Sequence, residues 1–487
     1  MIYNQIKKNN PEHIAFIRDE KEVSYKEYIE EIEKCRSTII KIGLSQSKLV
    51  GLCLKDSYRF SILFVSLCSL KIPIILLDPY TKSEEFQTVI NMYKPSILIT
   101  DTKKLIDIED DMVIEEKMEF EKPIRLFNLR TQNLFFKKNK SVDEGNLVIF
   151  LSSGSTNIPK AVLKSEKRLL NEGLQLKKTL DLKEEERILS IAPIFHAYGF
   201  AFGFIAPLIS GVTITYLPAL TLATKIEKVI LEREIEILIA LPVHYEMLAS
   251  HCKSKLTNLR YALTAGGILN QEVLTKCEEL IGLNLNNVYG MTETGAISIL
   301  HEKYENKLYN QPSVGKVISD TSVLLNYSDP VESKGLQIFE ILIKNKSMTM
   351  GYLDGEGNLD SIIDKKEYFK TGDLGILDEK CHLYIYGKQK LTINVSGKKV
   401  NPLEVEEVIQ THPAVKEAVV VGQEDSIRGE IPVAHIVLNH PSKQEEILSH
   451  CRRYLSAYKV PRKIFFQEKL EQTSTGKVKR QALKENL

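Results

Sequence analysis

The sequence lacks an excess of charge of either sign. It contains 65 lysines and arginines against 64 aspartates and glutamates, so the formal net charge is only +1. Proteins dedicated to nucleic acids usually carry a strong basic excess, and we therefore expect no nucleic-acid partner. Hydrophobic residues make up 43% of the chain and charged residues 26%. This balance is typical of a globular protein with a substantial core and excludes a disordered or fibrous chain.

Cysteine pairs with the spacing of a metal or disulfide motif are also missing. The chain has seven cysteines, an odd number, and no Cys-x-x-Cys sequence. Neither a disulfide framework nor a zinc ribbon is therefore predicted. Scattered thiols are typical of proteins in a reducing compartment, and the polar first residues do not resemble a signal peptide. We expect a cytoplasmic protein.

One long segment, residues 197–224, has no charged residue and is long enough to span a bilayer. Its sequence nevertheless argues against a transmembrane helix, because it contains glycines and prolines and a β-branched run at Val212–Thr215. The breakers are Gly199, Gly203, Pro207, Gly211 and Pro218. We expect a buried helix, a glycine turn and a buried strand, and no transmembrane segment.

Helical and strand patterns alternate along the first 300 residues. Ser24 and Glu27 form a predicted capping box at the start of a helix that Gly43 ends. Apolar runs predict strands, first at Leu49–Leu54, Ile74–Leu77 and Ile97–Thr100, and then, beyond a charged stretch at 102–143, at Leu147–Leu151, Ile188–Ile191, Ile237–Ala240, Tyr261–Thr264 and Leu285–Tyr289. Strands separated by helices at this spacing predict two α/β units with parallel sheets.

The pattern changes after the second predicted unit. Short strands with turns between 313 and 386 predict a smaller β-rich piece. The last hundred residues have a basic excess, whereas the rest of the chain is slightly acidic. We therefore predict an N-terminal domain at 1–387 and a small C-terminal domain at 388–487, with no internal repeat.

A loop rich in hydroxyls and glycine follows the predicted strand Leu147–Leu151. Its candidate binding residues are Ser152, Ser153, Gly154, Ser155, Thr156 and Lys160. Backbone N–H groups in such a loop can bind a polyphosphate, and the lysine offsets its charge. The loop is not a Walker A motif, because Pro159 stands where a glycine is required. The alternative interpretation is a Ser-rich surface turn.

Two further loops follow predicted strands. Gly266 and Gly267 allow a backbone to approach a flat ligand closely, although a plain strand-to-helix turn would have the same sequence. Thr292 and Glu293 follow the strand at Leu285–Tyr289, at the strand end where open α/β sheets bind ligands. The Glu293 carboxylate is a suitable ligand for Mg²⁺, or it belongs to an exposed acidic turn.

Three motifs are weaker on their own. His196 lies among aromatic residues, where a histidine is more often packed in a core than catalytic. Asp373 follows Gly372 at a predicted turn, and its carboxylate can accept hydrogen bonds from two ribose hydroxyls. The alternative is an ordinary β-turn, because turns with this sequence are abundant. Lys477 follows Gly476 in a predicted turn. Its side chain is either able to reach into an active site or simply exposed to solvent.

Taken in this order from Glu22 to Leu483, the motifs resemble the adenylate-forming superfamily, which includes acyl-CoA synthetases, adenylation domains of peptide synthetases and luciferases. The resemblance implies a large N-terminal domain, with two parallel α/β sheet subdomains and a small β-rich subdomain, and a small mobile α+β C-terminal domain. It also implies the chemistry. A carboxylate attacks the α-phosphate of ATP, pyrophosphate leaves, and the acyl-adenylate passes to a thiol.

The resemblance assigns a role to each part of the nucleotide site. The loop Ser152–Lys160 would bind the phosphates. Thr292 would contact the α-phosphate, Glu293 would bind Mg²⁺, and Asp373 would hold the ribose. The adenine site would be formed by Gly266, Gly267 and Ile268, with Tyr289 stacking nearby.

The C-terminal residues receive roles in the same way. Lys477 would bridge the carboxylate and the phosphate during adenylation, and Lys390 would be the hinge about which the C-terminal domain rotates. Gly397 would line the pantetheine tunnel. Lys388 stands where the family usually has an arginine next to the ribose, and lysine cannot reproduce the guanidinium fork.

The form Pro-x-Phe-His-x-x-Gly around His196 is that of acyl-CoA ligases. Adenylation domains that activate amino acids place an aspartate there, which pairs with the substrate ammonium, so we expect a carboxylic acid without an α-amine. The expected activity is that of an acyl-CoA ligase for a fatty, short-chain or aryl acid, with ATP, Mg²⁺ and CoA. The alternatives are transfer to the phosphopantetheine of an acyl carrier protein, and a catalytically silent nucleotide-binding protein. We expect a monomer or a homodimer.

Overall fold

The computed structural model describes residues 1–18, 20–44, 48–102, 113–114, 124–129, 144–152, 159–266, 271–301, 309, 312–471, 478 and 480–485. Its contacts divide the chain into two compact units. The first comprises Met1–Glu302, Gly315–Ser322 and Lys344–Phe369, and the second comprises Lys303–Val314, Val323–Ile343 and Lys370–Leu487.

The first sheet of the first unit has a parallel centre and antiparallel edges. Its strands, in spatial order, are Leu359–Asp360, Gly351–Leu353, Lys160–Ser165, Leu147–Ser152, Ile74–Leu76, Val50–Cys53, Ile97–Thr100, Arg125–Asn128 and Val113–Ile114. The strand Val50–Cys53 runs parallel to both of its neighbours, and Leu147–Ser152 runs parallel to Ile74–Leu76. The carboxyl ends of these four strands therefore lie at one edge of the sheet.

The second sheet of this unit is parallel over most of its width. Its strands, in spatial order, are Lys316–Val317, Gly295–Ile299, Leu285–Met291, Tyr261–Ala265, Ile237–Ala240, Arg187–Ser190, Thr213–Tyr216, Ile14–Arg18 and Lys21–Ser24. The strands from Leu285–Met291 to Ile14–Arg18 are parallel, and antiparallel strands complete both edges. The central strand Ile237–Ala240 is apolar and buried at every position, as expected where both faces of a sheet are covered.

Helices pack on the two sheets of the first unit. They are Ile2–Ile6, Tyr25–Lys41, Ser57–Ser69, Ser83–Tyr93, Glu166–Thr179, Ala197–Phe200, Ala201–Ile205, Ala206–Ser210, Ala223–Glu232, Pro242–His251 and Gln271–Ile281. The predicted capping box is confirmed, since Ser24 accepts a hydrogen bond from the Glu27 N–H and the Glu27 carboxylate accepts one from the Ser24 N–H. Helix Ser57–Ser69 is buried over most of its length, with the Phe64 ring 4.9 Å from that of Phe200.

The uncharged segment folds as predicted. A helical stretch runs from Ala197 to Ser210, Gly211 turns the chain at a φ of 81°, and Thr213–Tyr216 forms a buried strand. Within the described residues, no helix combines the length and apolar character needed to cross a membrane.

The assignment of strands to the two sheets differs from the sequence prediction at one place. Leu147–Ser152 belongs to the first sheet, not to the second unit in which its position along the chain placed it. The early strand Ile14–Arg18, which was not predicted, belongs to the second sheet, beside Thr213–Tyr216. An apolar run predicts a strand but carries no information about its partner, because partner choice depends on long-range packing.

The second unit is built on one mixed sheet. Its strands, in spatial order, are Leu383–Lys388, Phe369–Leu377, Leu336–Asn345, Thr321–Ser333, Lys398–Val400, Ile393–Val395, Gly429–Leu438 and Val415–Asp425, with Lys463–Phe466 also paired to Gly429–Leu438. Its helices are the short 3₁₀ turn Gln389–Leu391 and the α-helices Pro402–Gln410, Gln444–Tyr454 and Arg480–Glu485. The proposed domain boundary after residue 387 lies inside this unit, and the division into 1–387 and 388–487 stays a prediction.

Candidate active site

Glu293 lies in the turn between the strands Leu285–Met291 and Gly295–Ile299, and it is only 7% exposed. Its Oε1 accepts a hydrogen bond of 2.7 Å from the Tyr352 hydroxyl. Its main-chain carbonyl oxygen accepts one of 2.6 Å from the Thr349 N–H. A buried carboxylate is costly unless it is hydrogen-bonded. The alternative of an exposed acidic turn is therefore wrong.

Lys160 begins the strand Lys160–Ser165, which pairs with Gly351–Leu353 so that Tyr352 lies opposite Val162. The Lys160 ammonium lies 4.7 Å from the centroid of the Tyr352 ring, within the range of a cation–π interaction. Burial first, and then the Glu293 carboxylate, raise the pKa of Tyr352 well above its ordinary value of 10. The hydroxyl consequently remains a donor at physiological pH. Tyr352 thus joins the predicted phosphate lysine to the predicted metal ligand.

The predicted phosphate-binding loop lies between the antiparallel strands Leu147–Ser152 and Lys160–Ser165. Ser152 pairs with Lys160 where the hairpin opens, and the Tyr93 hydroxyl donates a hydrogen bond of 2.6 Å to the Pro159 carbonyl oxygen. The base of the loop is therefore held in place from both sides. The remaining predicted residues of the loop, Ser153, Gly154, Ser155 and Thr156, lie outside the described residues.

The predicted adenine residues lie at the ends of neighbouring parallel strands. Gly266 follows directly on the pair formed by Ala265 and Val288, so it lies beside Tyr289. Its φ of +92° is rare for other residues, and a Cβ atom added there would meet nothing within 4 Å. Thr292 is half-buried and directly precedes Glu293. Gly267 and Ile268 lie outside the described residues.

His196 precedes the helical turn Ala197–Phe200, with its ring 4.7 Å from that of Phe195. Its Nε2 lies 4.0 Å from Oδ2 of Asp78, and its side chain is 49% exposed. Burial nevertheless lowers the pKa of His196, and the Asp78 carboxylate opposes this only in part. A lowered pKa favours the neutral imidazole at pH 7.

Asp78 is a candidate site residue that sequence reasoning missed. It follows the strand Ile74–Leu76, and its Oδ1 accepts a hydrogen bond of 2.7 Å from the Tyr80 N–H. A polar residue directly after a parallel strand is a usable signal, because ligands bind at that edge. Tyr352 was also missed, since a tyrosine in a short edge strand carries no local sign of function.

The second unit contains the remaining predicted residues. Lys388 Nζ lies 2.5 Å from Oδ1 of Asp373, and the Asp373 N–H donates a hydrogen bond of 3.0 Å to Thr371 Oγ1. Lys390 is exposed in the 3₁₀ turn Gln389–Leu391. Gly397 forms the tip of the hairpin between Ile393–Val395 and Lys398–Val400, with a φ of +82°.

The structure therefore brings together some of the predicted residues in each unit. In the first unit, Tyr352 links Lys160 to Glu293, and in the second Asp373 pairs with Lys388. Lys477 lies outside the described residues. Across the part of the chain that the structure describes, no three histidine, cysteine or acidic side chains cluster as a metal site. A metal here would need ligands from a substrate in addition to a carboxylate.

Known proteins resemble the chain over most of its length. A 2-succinylbenzoate–CoA ligase of Listeria monocytogenes is 27% identical over 98% of this chain and 97% of its own. An oxalate–CoA ligase of Arabidopsis thaliana is 25% identical over 92% of this chain and 90% of its own. The o-succinylbenzoate CoA synthetase of Bacillus subtilis, solved with an acyl-adenylate intermediate, has the same fold, with a TM-score of 0.77 and 23% identity over 99% of this chain and 97% of its own.

Two family models match successive parts of the sequence. The AMP-binding enzyme C-terminal domain matches residues 404–477, and the AMP-binding enzyme family matches residues 3–353. The predicted α/β fold, with its large N-terminal and small C-terminal parts, and the predicted resemblance to acyl-CoA synthetases are thereby confirmed. The chain belongs to the family of AMP-binding enzymes.

Proposed function

We propose that this enzyme is an AMP-forming acid–thiol ligase that activates a carboxylic acid with ATP and transfers the acyl group to CoA. The observation that carries the proposal is the buried Glu293 carboxylate, which Tyr352 links to Lys160 at the base of the predicted phosphate loop. A cation for the phosphates and a carboxylate for a divalent metal are the two groups that a triphosphate requires.

The residues fit a bound Mg²⁺. Glu293 is buried, and its Oε1 accepts a hydrogen bond, but its Oε2 receives no hydrogen bond from a described residue. Mg²⁺ commonly uses one or two protein carboxylates and takes its other ligands from phosphates and water. When bound, the metal would offset the charge that develops on the departing pyrophosphate.

Each predicted residue is proposed for one task in the reaction. Lys160 would bind phosphate oxygens, and Thr292 the α-phosphate that the carboxylate attacks. The Asp373 carboxylate would accept hydrogen bonds from the ribose hydroxyls. Lys477 would stabilise the charge shared by the attacking carboxylate and the α-phosphate. The P–O bond to pyrophosphate breaks as the carboxylate oxygen bonds to phosphorus, and the C–O bond of the acyl-adenylate breaks when the CoA thiolate attacks the carbonyl carbon.

The acid is proposed to be aryl or otherwise apolar, without an α-amine. His196 stands where adenylation domains that activate amino acids have the aspartate that pairs with the substrate ammonium, and burial lowers the pKa of its imidazole. The Phe195 ring lies 4.7 Å from that of His196 and 6.3 Å from that of Tyr80. Aromatic side chains favour a flat apolar acid. The similar 2-succinylbenzoate–CoA ligase is named for an acid that contains an aromatic ring.

We also propose a cellular location and an oligomeric state. Cytoplasmic location is supported by the seven cysteines, all of which are free thiols. A monomer or a homodimer is the expected oligomeric state, which sedimentation velocity would determine.

A panel of carboxylic acids tests this function. Pyrophosphate release is measured with aryl, fatty, short-chain and amino acids, each with CoA and, separately, with a holo acyl carrier protein. We expect release with aryl or apolar acids and a CoA thioester by mass spectrometry. Thioester formation on the carrier protein alone would favour the carrier-loading alternative. Exchange with proteinogenic amino acids only would overturn the substrate proposal, and no release with any acid would favour a silent nucleotide-binding protein.

A further inference from the structure

Tyr352 is placed to control two opposite charges at once. Its hydroxyl donates to Glu293 Oε1 at 2.7 Å, and the face of its ring lies 4.7 Å from Lys160 Nζ. Lys160 is exposed, whereas Glu293 is buried. The tyrosine therefore gives each charge a separate partner.

The backbone around Tyr352 is held firmly enough to act as a fixed frame. The Thr349 hydroxyl donates to the Leu163 carbonyl oxygen at 2.7 Å, and the Met350 N–H donates to the same oxygen at 2.8 Å. The Thr349 N–H in turn binds the Glu293 carbonyl oxygen. The segment from Thr349 to Tyr352 thus holds Glu293 by its main chain and by its carboxylate.

From this arrangement we infer that Tyr352 is a positioning residue that fixes the rotation of the Glu293 carboxylate for a divalent metal. The inference rests on the proposed role of Glu293. With Oε1 held by the tyrosine hydroxyl, Oε2 is the oxygen left for the metal.

The test substitutes Tyr352→Phe, which keeps the ring near Lys160 and removes only the hydroxyl. Mn²⁺ replaces Mg²⁺ as the probe, and its affinity is measured by electron paramagnetic resonance in the presence of a non-hydrolysable ATP analogue. A hydrogen bond to a charged group is lost, so we expect Mn²⁺ to bind about tenfold more weakly. The affinity for the analogue without metal should remain within about twofold.

Two further variants make the result decisive. Tyr25→Phe removes another buried hydroxyl, one that donates to the Val212 carbonyl oxygen, and should leave Mn²⁺ affinity unchanged. Glu293→Gln removes the proposed metal ligand itself. Suppose that Glu293→Gln abolishes Mn²⁺ binding but Tyr352→Phe binds Mn²⁺ as tightly as the unsubstituted enzyme. The positioning role of Tyr352 is then wrong, and the proposed function is unaffected. If Glu293→Gln also binds Mn²⁺ normally, the metal role of Glu293 is overturned as well.

Discussion

Lys388 and Asp373 face each other across antiparallel strands, with Nζ 2.5 Å from Oδ1. Asp373 is almost buried, whereas Lys388 is 44% exposed. The lysine thus supplies the counter-charge that a buried carboxylate needs. The family usually has an arginine at position 388. The lysine carries its charge on one ammonium group and lacks the planar guanidinium that could form two parallel hydrogen bonds.

Replacing Lys388 by alanine is expected to weaken ATP binding through Asp373. Without its partner, the carboxylate loses a charged hydrogen bond and its fixed position, so the KM for ATP should rise about tenfold. Lys388→Arg should retain most of the affinity, because the charge remains. Steady-state kinetics in ATP measures the effect. Lys334→Ala, which breaks a different ion pair with Glu407 in the same unit, should leave the KM unchanged. An equal rise in that control would point to a general loss of structure.

A proline at position 390 is expected to separate the two half-reactions. Lys390 lies in the 3₁₀ turn Gln389–Leu391, and proline would fix φ at this position. Rotation about this residue requires a change of φ that proline forbids. Lys390→Pro should therefore spare adenylation and impair thioester formation by at least about tenfold, whereas Lys390→Ala should spare both. Single-turnover assays of each half-reaction measure this, and unchanged thioester formation would show that the hinge lies elsewhere.

Loss of the Lys477 side chain is expected to affect adenylation selectively. Removing one group that stabilises charge in a transition state costs about a hundredfold or more in rate. Lys477→Ala should lose that much in pyrophosphate release, yet form thioester from a preformed acyl-adenylate at nearly the normal rate. Lys469→Ala, a nearby exposed lysine, is the control. Equal losses in both half-reactions would contradict the role assigned to Lys477.

The titration of His196 is expected to reveal the influence of Asp78. Burial lowers the His196 pKa below 6.5, and the Asp78 carboxylate opposes that effect. Asp78→Asn should therefore lower the pKa further, which NMR of the imidazole measures directly, with His196→Gln identifying the resonance. The unfolded chain binds this proton more readily than the folded one, so His196 reduces the free energy of unfolding as the pH falls below 6.5. A rise in the pKa on removing the carboxylate would contradict the placement of Asp78.

Much of the local structure is predictable from sequence because it depends on neighbouring residues. The strands Ile97–Thr100 and Ile237–Ala240 match their apolar runs to the residue, and the Ser24 capping box forms within four residues. Sheet membership is not predictable in this way. Ile14–Arg18 joins strands that follow it by almost two hundred residues, and only packing selects that partner.

The candidate site shows the same division. Thr292 and Glu293 could be predicted because they follow a strand directly. Tyr352 could not, because it is 59 residues from Glu293 along the chain. Asp78 and His196 come from different βα segments and meet only through the tertiary fold. Contacts of this kind leave no periodic or local pattern, so side chains that hold other site residues in place are those that sequence reasoning misses.

Isotope transfer tests the central claim most directly. An acid that supports pyrophosphate release is labelled with ¹⁸O in both carboxylate oxygens and turned over with ATP and CoA, and the nucleotide product is analysed by mass spectrometry. Attack of the carboxylate on the α-phosphate, followed by transfer to CoA, predicts AMP that carries one ¹⁸O. Formation of ADP, or AMP without the label, would contradict the acyl-adenylate mechanism.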